Sequence, residues 1–180
     1  MNRCTWAMNV NEIYTKYHDE EWGEPIHDEQ KLYEMLILES FQAGLSWSCI
    51  LNKRKNFKKA FDNFDIDKII NYDETKIKEL QNNEGIIRNK LKIKATINNS
   101  KIFKQIQEEY GSFDKYIWRF TNNETIYELD KVSSELSDTI SKDLKQRGMK
   151  FVGTIIIYSY LQAIGIINSH ETQCFKHHKI

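Results

Sequence analysis

The sequence predicts an all-α fold, and three observations carry that expectation. Chain breakers are scarce, with one proline and seven glycines among 180 residues, which disfavours a turn-dense β architecture. Apolar residues recur at three- and four-residue spacing in one segment after another. Several of those segments are preceded by aspartate, a residue suited to accept from the free N–H groups of a helix start.

Taken in order, Asp28 opens a helix carrying Leu32, Met35, Leu36 and Leu38. Ser46–Phe61 follows with Trp47, Ile50, Leu51, Phe57 and Phe61, and Asp65 and Asp73 head two short helices. Ile86–Tyr110 reads as one long helix, then Ser133–Arg147, then Val152–Ile164, which is apolar almost all round and therefore central. Phe151–Ile157 is β-branched enough to pass for a buried strand, but no partner strand is evident. A hydrophobic fraction of 40%, with 12% aromatics, can build a core. At about 150 residues per domain the whole chain, 1–180, reads as one domain. Disorder and a disulfide scaffold are poor descriptions of such a composition. No apolar run reaches the ~18 residues that span a bilayer, and no signal-peptide core follows Arg3, so a soluble cytoplasmic protein without membrane contact is expected.

The net charge is zero, with 26 basic and 26 acidic residues, yet the charges are segregated. Residues 1–45 hold three basic and nine acidic residues, whereas 46–60 hold five basic and 85–107 six, both without an acid. A third group is Lys142, Lys145, Arg147 and Lys150. Any one run can be a solvated helix face. Three in a neutral chain are better explained by an electropositive face meeting an anionic partner.

Cysteine and histidine gather at the two ends: Cys4 and His18 near the start, His170 and Cys174 near the finish. The latter pair, four apart, shares a face on a helix or helical turn. Two thiolates and two imidazoles suit tetrahedral zinc, and with four protein ligands the ion has no open position for chemistry. The alternative is that the four are unrelated. Cys49 reads as a small core residue, His177 and His178 as tail residues, and His27 has no evident partner.

Glu39 ends the apolar run Ile37-Leu38 and precedes Gln42-Ala43-Gly44-Leu45-Ser46-Trp47. A buried carboxylate is costly unless something satisfies it. Glu39 is therefore either a structural residue paired with a lysine or one that faces a pocket whose ligand donates hydrogen bonds or carries positive charge. Trp47 offers a π face for a flat ring, or plain core packing. Trp6, Tyr14, Tyr17 and Trp22 form an aromatic group around the proposed ligands Cys4 and His18. Between about 75 and 100, a helix, the turn Glu84-Gly85-Ile86-Ile87-Arg88-Asn89-Lys90 and a basic helix suggest a phosphate-binding helix-hairpin-helix element. Ile87 stands where a second glycine is expected.

These motifs, in this order, resemble the 3-methyladenine DNA glycosylase I (Tag) family. The resemblance covers Arg3-Cys4-Thr5-Trp6, Tyr17-His18-Asp19, Glu21-Trp22-Gly23, Gln42 to Trp47 and Gly85 to Asn89. It continues through Lys145 to Arg147 and Lys150 to Thr154, and closes with His170 and Cys174. It implies a helix-hairpin-helix glycosylase fold. One structural zinc per chain, on Cys4, His18, His170 and Cys174, would tie segments 1–24 and 165–180 together. The implied substrate is double-stranded DNA containing alkylated adenine, and the reaction is hydrolysis of the N-glycosidic bond after base flipping. Free 3-methyladenine and an abasic site are its products. Glu39 is the implied catalytic residue, accepting hydrogen bonds from the flipped base. Tyr17 adds a hydroxyl, Trp47 stacks, and Tyr14 and Trp6 line the pocket. Gly44 and Leu45 sit at the gap in the duplex, and Gly85, Arg88 and Lys90 contact DNA. A monomer is expected, and no lyase activity, since no lysine is evidently placed in the pocket. The spacing from Cys4 to His18 is one residue longer than the family pattern, and the tail after Cys174 diverges. A zinc-stapled DNA-binding module and a metallohydrolase are the rival readings. The first leaves Glu39 without a role, and the second needs an open metal position.

Overall fold

A computed structural model of the chain describes residues 2–177; His178 lies outside them. Among the described residues the architecture is helical, as expected, in the order α1 (Glu12–Glu20), α2 (Glu29–Gln42), α3 (Trp47–Ala60), α4 (Ile66–Ile69), α5 (Glu74–Asn82), α6 (Lys90–Tyr110), α7 (Phe113–Trp118), α8 (Glu135–Gln146) and α9 (Thr154–Ala163). Two two-residue strands, β1 (Ile126–Tyr127) and β2 (Ile167–Asn168), pair in parallel.

The helix starts follow from side-chain chemistry. Asp28 accepts from the N–H of Lys31 at 2.9 Å, Ser46 from Cys49 at 3.3 Å and Asp73 from Lys76 at 2.9 Å. Asp65 likewise accepts at the start of α4. Each satisfies at least one of the donors a helix leaves free, Asp65 two, contributing about 1 kcal/mol per cap. The long helix begins four residues later than its apolar pattern suggests. Asn89 takes extended backbone angles and caps the N–H of Lys92 at 3.1 Å, so residues 86–89 form a turn rather than helix. Residues 151–153 precede α9 without forming a strand. The strand pair that does exist is too short and too distant in sequence to show as a pattern, and α7 is likewise an addition.

Helix α9 is central, packed on α8 and α2, with Ile157, Tyr160 and Leu161 sealed from solvent. A second concentration of core is the aromatic series Phe41, Phe57, Phe61 and Phe64, whose successive ring centroids lie 4.8–6.5 Å apart. Burying each such ring contributes about 1.5–3 kcal/mol. Cys49, by contrast, is half-buried near the start of α3 rather than in the core.

The basic runs are less free than the sequence suggests. Arg54 bridges Glu21 and Glu34 at 2.7 Å each, Lys94 meets Glu74 at 2.8 Å, Lys104 pairs with Asp67, and Arg147 holds Glu109 and Asp143. His27 has a partner after all in Asp114, at 2.7 Å.

Residues Gly23–Ile26 cross the C-terminal end of α9, where Gly23 N–H donates to Gln162 O and Ile26 N–H to Ile164 O, each at 3.0 Å. Gly165 sits beneath this strap with φ +75°, and a Cβ there would lie 2.2 Å from the carbonyl carbon of Glu24. Gly44 shares the left-handed conformation at φ +77°, yet a Cβ there would meet nothing within 4 Å. Gly165→Ala is therefore expected to destabilise by about 3 kcal/mol or more, adding backbone collision to strain. Gly44→Ala should cost about 1 kcal/mol, from strain alone. Denaturant melts of the two variants give the comparison, and equal losses would contradict it.

Candidate functional site

Helices α1, α2 and α3 bring Tyr14, Tyr17, Glu39, Gln42 and Trp47 to one cavity of about 300 Å³. Trp6 and Trp22 complete its aromatic side. The opposite wall was not anticipated. It consists of Ser159 and Gln162 from α9, Leu129, Asp130 and Lys131 from the loop after β1, and Ser169 with Glu171 near the C-terminal end. The signal for the α9 pair was present in the sequence: two polar residues three apart on a helix otherwise apolar share one face.

Glu39 is 2% exposed. Among the described residues no lysine or arginine pairs with it, so the structural ion-pair reading does not hold there. Burial alone pushes its carboxyl well above the usual carboxylate range. One carboxyl oxygen has no hydrogen-bond partner, nor do the buried Gln42 Oε1 and Trp47 Nε1. Leaving a buried polar atom unsatisfied costs about 1–3 kcal/mol. Three such atoms beside one cavity, two oxygens and one indole N–H, are groups that a ligand could satisfy. The aromatic groups are mutually braced: Trp6 meets Tyr14 and Trp22 edge-on at 5.3 and 4.9 Å, and Tyr17 tilts against Trp47 at 5.4 Å. Burial and the neighbouring Glu39 raise the Tyr17 hydroxyl far above its ordinary value, so it stays protonated. Such a cavity can stack a flat ring and accept hydrogen bonds or positive charge at its edge.

One lysine does line the cavity, contrary to expectation. Lys131 is half-exposed, and its ammonium is engaged by Glu128 at 2.9 Å, an arrangement that opposes its use as a free amine nucleophile.

Beyond Gln42 the chain turns sharply. Leu45 N–H donates to Gln42 O, Gly44 takes its left-handed angle, and Leu45 is left 40% exposed at the tip. The turn Asn83–Asn89 between α5 and α6 places Gly85 against α3, where Asn56 Nδ2 donates to its carbonyl at 3.3 Å. Arg88 is exposed and only loosely bridged to Glu84, and Lys90 is exposed at the start of α6. Lys92 is different. It is buried and does not belong to the basic surface.

The four end residues do converge. The ligand atoms of Cys4, His18, His170 and Cys174 lie within 4.8 Å of one another, and all four residues are buried. Cys4 Sγ is 3.4 Å from His170 Nδ1, and Cys174 Sγ is 3.4 Å from His18 Nε2 and 3.6 Å from His170 Nδ1. The edge expected between sulfur and nitrogen in a tetrahedral zinc site is about 3.6 Å. The surroundings orient each donor. His18 Nδ1 bonds Asp19 at 2.9 Å, which aims Nε2 inward, and His170 Nε2 bonds the Trp22 carbonyl at 3.0 Å, which aims Nδ1 inward. Arg3 grips the same Asp19 with two nitrogens, at 2.8 and 2.7 Å, and holds its carboxyl at about 2. Backbone N–H groups of Glu171 and Lys176 donate to Cys4 and Cys174 sulfur, each at 3.4 Å. Burial lowers His170 to about 4, leaving it neutral as a ligand must be, and raises the Cys4 thiol to about 12 in the absence of a cation. His170 and Cys174 meet through a turn closed by Cys174 N–H to Glu171 O, not a helix. His177 donates to the His170 carbonyl at 2.8 Å and stays outside the cluster. The group fits a metal ion.

The chain is similar to known proteins over nearly its whole length. The family model described as methyladenine glycosylase matches residues 6–177. DNA-3-methyladenine glycosylase 1 of Escherichia coli (strain K12) is 41% identical over 181 residues, covering 97% of this chain and 96% of its own. DNA-3-methyladenine glycosylase of Haemophilus influenzae is 37% identical over 178 residues, covering 96% of each chain. Among solved structures, 3-methyladenine DNA glycosylase I from Staphylococcus aureus, in a structure described for its recognition of 3-methyladenine, superposes with a TM-score of 0.94 at 32% identity, covering 100% of this chain and 98% of that one. With the family pattern running through nearly its whole length, this chain belongs to the methyladenine glycosylase family.

Proposed function

We propose that this protein excises 3-methyladenine from alkylated double-stranded DNA by hydrolysing the N-glycosidic bond of a base flipped into the cavity. The observation that carries the reading is the unpartnered Glu39 carboxyl, buried beside braced aromatic rings. The printed names of the relatives support it. Methylation at N3 makes adenine cationic and a good leaving group. The bond from C1′ to the base breaks with its electrons going to the ring, water adds to C1′, and the water proton passes to solvent. Free 3-methyladenine and an abasic site remain, as in base-excision repair.

Glu39 acts by charge and hydrogen bonding at the base edge. Burial favours its neutral form, and a cationic ring entering beside it favours the ionised form. Trp47 stacks on the ring, the Tyr17 hydroxyl adds a contact, and Tyr14 and Trp6 close the sides. Gly44 and Leu45 occupy the space the base vacates. Flipping costs a few kcal/mol, least where pairing is already weakened, and the exposed Leu45 tip suits that gap. Gly85, Arg88 and Lys90 hold phosphates in a helix-hairpin-helix grip. With Lys131 held by Glu128, the enzyme is monofunctional.

Zinc is the metal that the donor set of two sulfurs and two nitrogens fits best. Held by Cys4, His18, His170 and Cys174, it would supply structural linkage of the chain ends, one ion per chain. Segments 1–24 and 165–180 then close residues 1–180 into one domain, which acts as a cytoplasmic monomer.

Chromatography of bases released from methylated DNA is the direct test of function. Glu39→Gln should lower single-turnover release of 3-methyladenine by about a hundredfold or more, with DNA binding retained; unchanged release would sink the assignment. The same variant tests the burial of the carboxyl. A carboxyl whose folded pKa is raised contributes stability below its unfolded value near 4.3, and that stability is lost as pH rises toward the folded value. Glu39→Gln should therefore match the parent protein near pH 4 and become the more stable of the two toward pH 8. The gap should widen by up to about 1.4 kcal/mol per pH unit.

Elemental analysis is expected to give one zinc per chain, and X-ray absorption two sulfur and two nitrogen neighbours. Chelation should lower Tm by at least about 10 °C. Full thermal stability after complete metal removal would refute the linkage role.

A further inference from the structure

Lys92 stands inside the second basic run but faces inward, and none of the roles assigned above uses it. It is 7% exposed, in the first turn of α6. Its ammonium donates to the carbonyl of Phe41 at 2.8 Å and to that of Ala43 at 2.6 Å. The Phe151 ring lies 5.8 Å from the same nitrogen.

Among the described residues neither carbonyl finds a backbone N–H at the turn after α2. In a continuing helix Phe41 O would accept from Leu45 N–H. Here that N–H goes to Gln42 O instead, because Gly44 turns the chain away. Lys92 supplies the missing donors, and its positive charge meets the negative end of the α2 dipole. The two carbonyls flank Gln42, whose side chain lines the cavity, and lie next to Gly44 and Leu45 at the tip. On its other side, Lys92 is held by the Asn89 cap at the end of the Asn83–Asn89 turn. One ammonium thus joins the tip to the start of α6, with the segment at Phe151 packed against it.

We infer that Lys92 is a positioning residue for base flipping, fixing the Gly44-Leu45 tip against α6 so that the tip can enter the duplex when the turn before α6 is seated on phosphates. This rests on the proposed excision reaction. Lys92 touches neither base nor backbone of the DNA. It makes the tip rigid, so that the ordering of the turn precedes the encounter instead of opposing it. The burial that lowers its affinity for a proton also leaves its ammonium with no water to prefer over the two carbonyls.

The test uses the full-length protein with Lys92→Met, which keeps length and apolar stem, and Lys92→Arg, which keeps a charged donor. Two quantities are measured for each: the single-turnover rate of 3-methyladenine release from methylated duplex DNA, and the affinity for free 3-methyladenine by tryptophan fluorescence. Lys92→Met should release base about tenfold or more slowly while binding the free base within about twofold of the parent protein. Lys92→Arg should recover part of the rate. An unchanged rate overturns the inference, and so does an equal fall in rate and free-base affinity, which is the pattern of general structural damage. Should Lys92→Met fail to fold, Lys92→Arg carries the same comparison: a rate loss of about threefold without affinity loss is expected, and no separation of the two overturns the inference. Absence of 3-methyladenine release by the parent protein would instead strike the proposed reaction itself.

Discussion

The carboxyl of Glu39, held away from water and from any cation, is the constraint around which the rest of the molecule is arranged. A group of this kind weakens the fold that contains it. Its retention is intelligible if the compensating charge arrives with the ligand. Everything near it serves that circumstance. Helix α2 carries the carboxyl to the cavity and then stops within one turn, so the chain that emerges is both cavity wall and projecting tip. Trp6 braces Tyr14 of α1 edge to face and Tyr17 of α1 tilts against Trp47 of α3, which keeps the cavity open to a flat ring rather than collapsed onto it.

The Cys/His cluster and the cavity are joined through the residues that flank the cluster. Trp22 gives its carbonyl to His170 and its ring to the cavity wall. Glu171 binds the N–H and hydroxyl of Thr5 at 2.9 and 2.7 Å, beside Cys4, while its side chain lines the cavity. Trp6, two residues beyond Cys4, lies edge-on to His18 at 5.1 Å. Ordering of the ends by a metal ion is therefore also ordering of the aromatic wall.

Helices whose starts are announced by a capping side chain and whose inward faces are contiguous in sequence were legible: Asp28, Ser46, Asp65 and Asp73 each cap as their chemistry suggests. The grouping of Cys4, His18, His170 and Cys174 was legible through the family resemblance, whereas their spacing alone left open that they were unrelated. The β1–β2 pair was not, since two residues bear no periodicity and their partners are some forty positions apart. Nor was the pairing of Arg54, Lys94 and Lys104 with acids from other parts of the chain. Lys92 is the sharpest case. In sequence it is one of six basic residues in its run, and only the carbonyls it holds at the turn after α2 distinguish it. The cavity wall built from α9 was hidden for a related reason, Ser159 and Gln162 being submerged in an apolar helix whose dominant signal was burial.

The clasp between the ends also sets a schedule for biosynthesis. Cys4 and His170 are separated by 166 residues. At 5–20 residues per second, the first cysteine waits on the order of ten to thirty seconds on the ribosome before its partners are made. During that interval the nascent chain can bury α2 and α3, yet its amino-terminal aromatic residues have nothing to lean on. A chain released before His170 is made would thus have much of its core and no finished chamber for a damaged base.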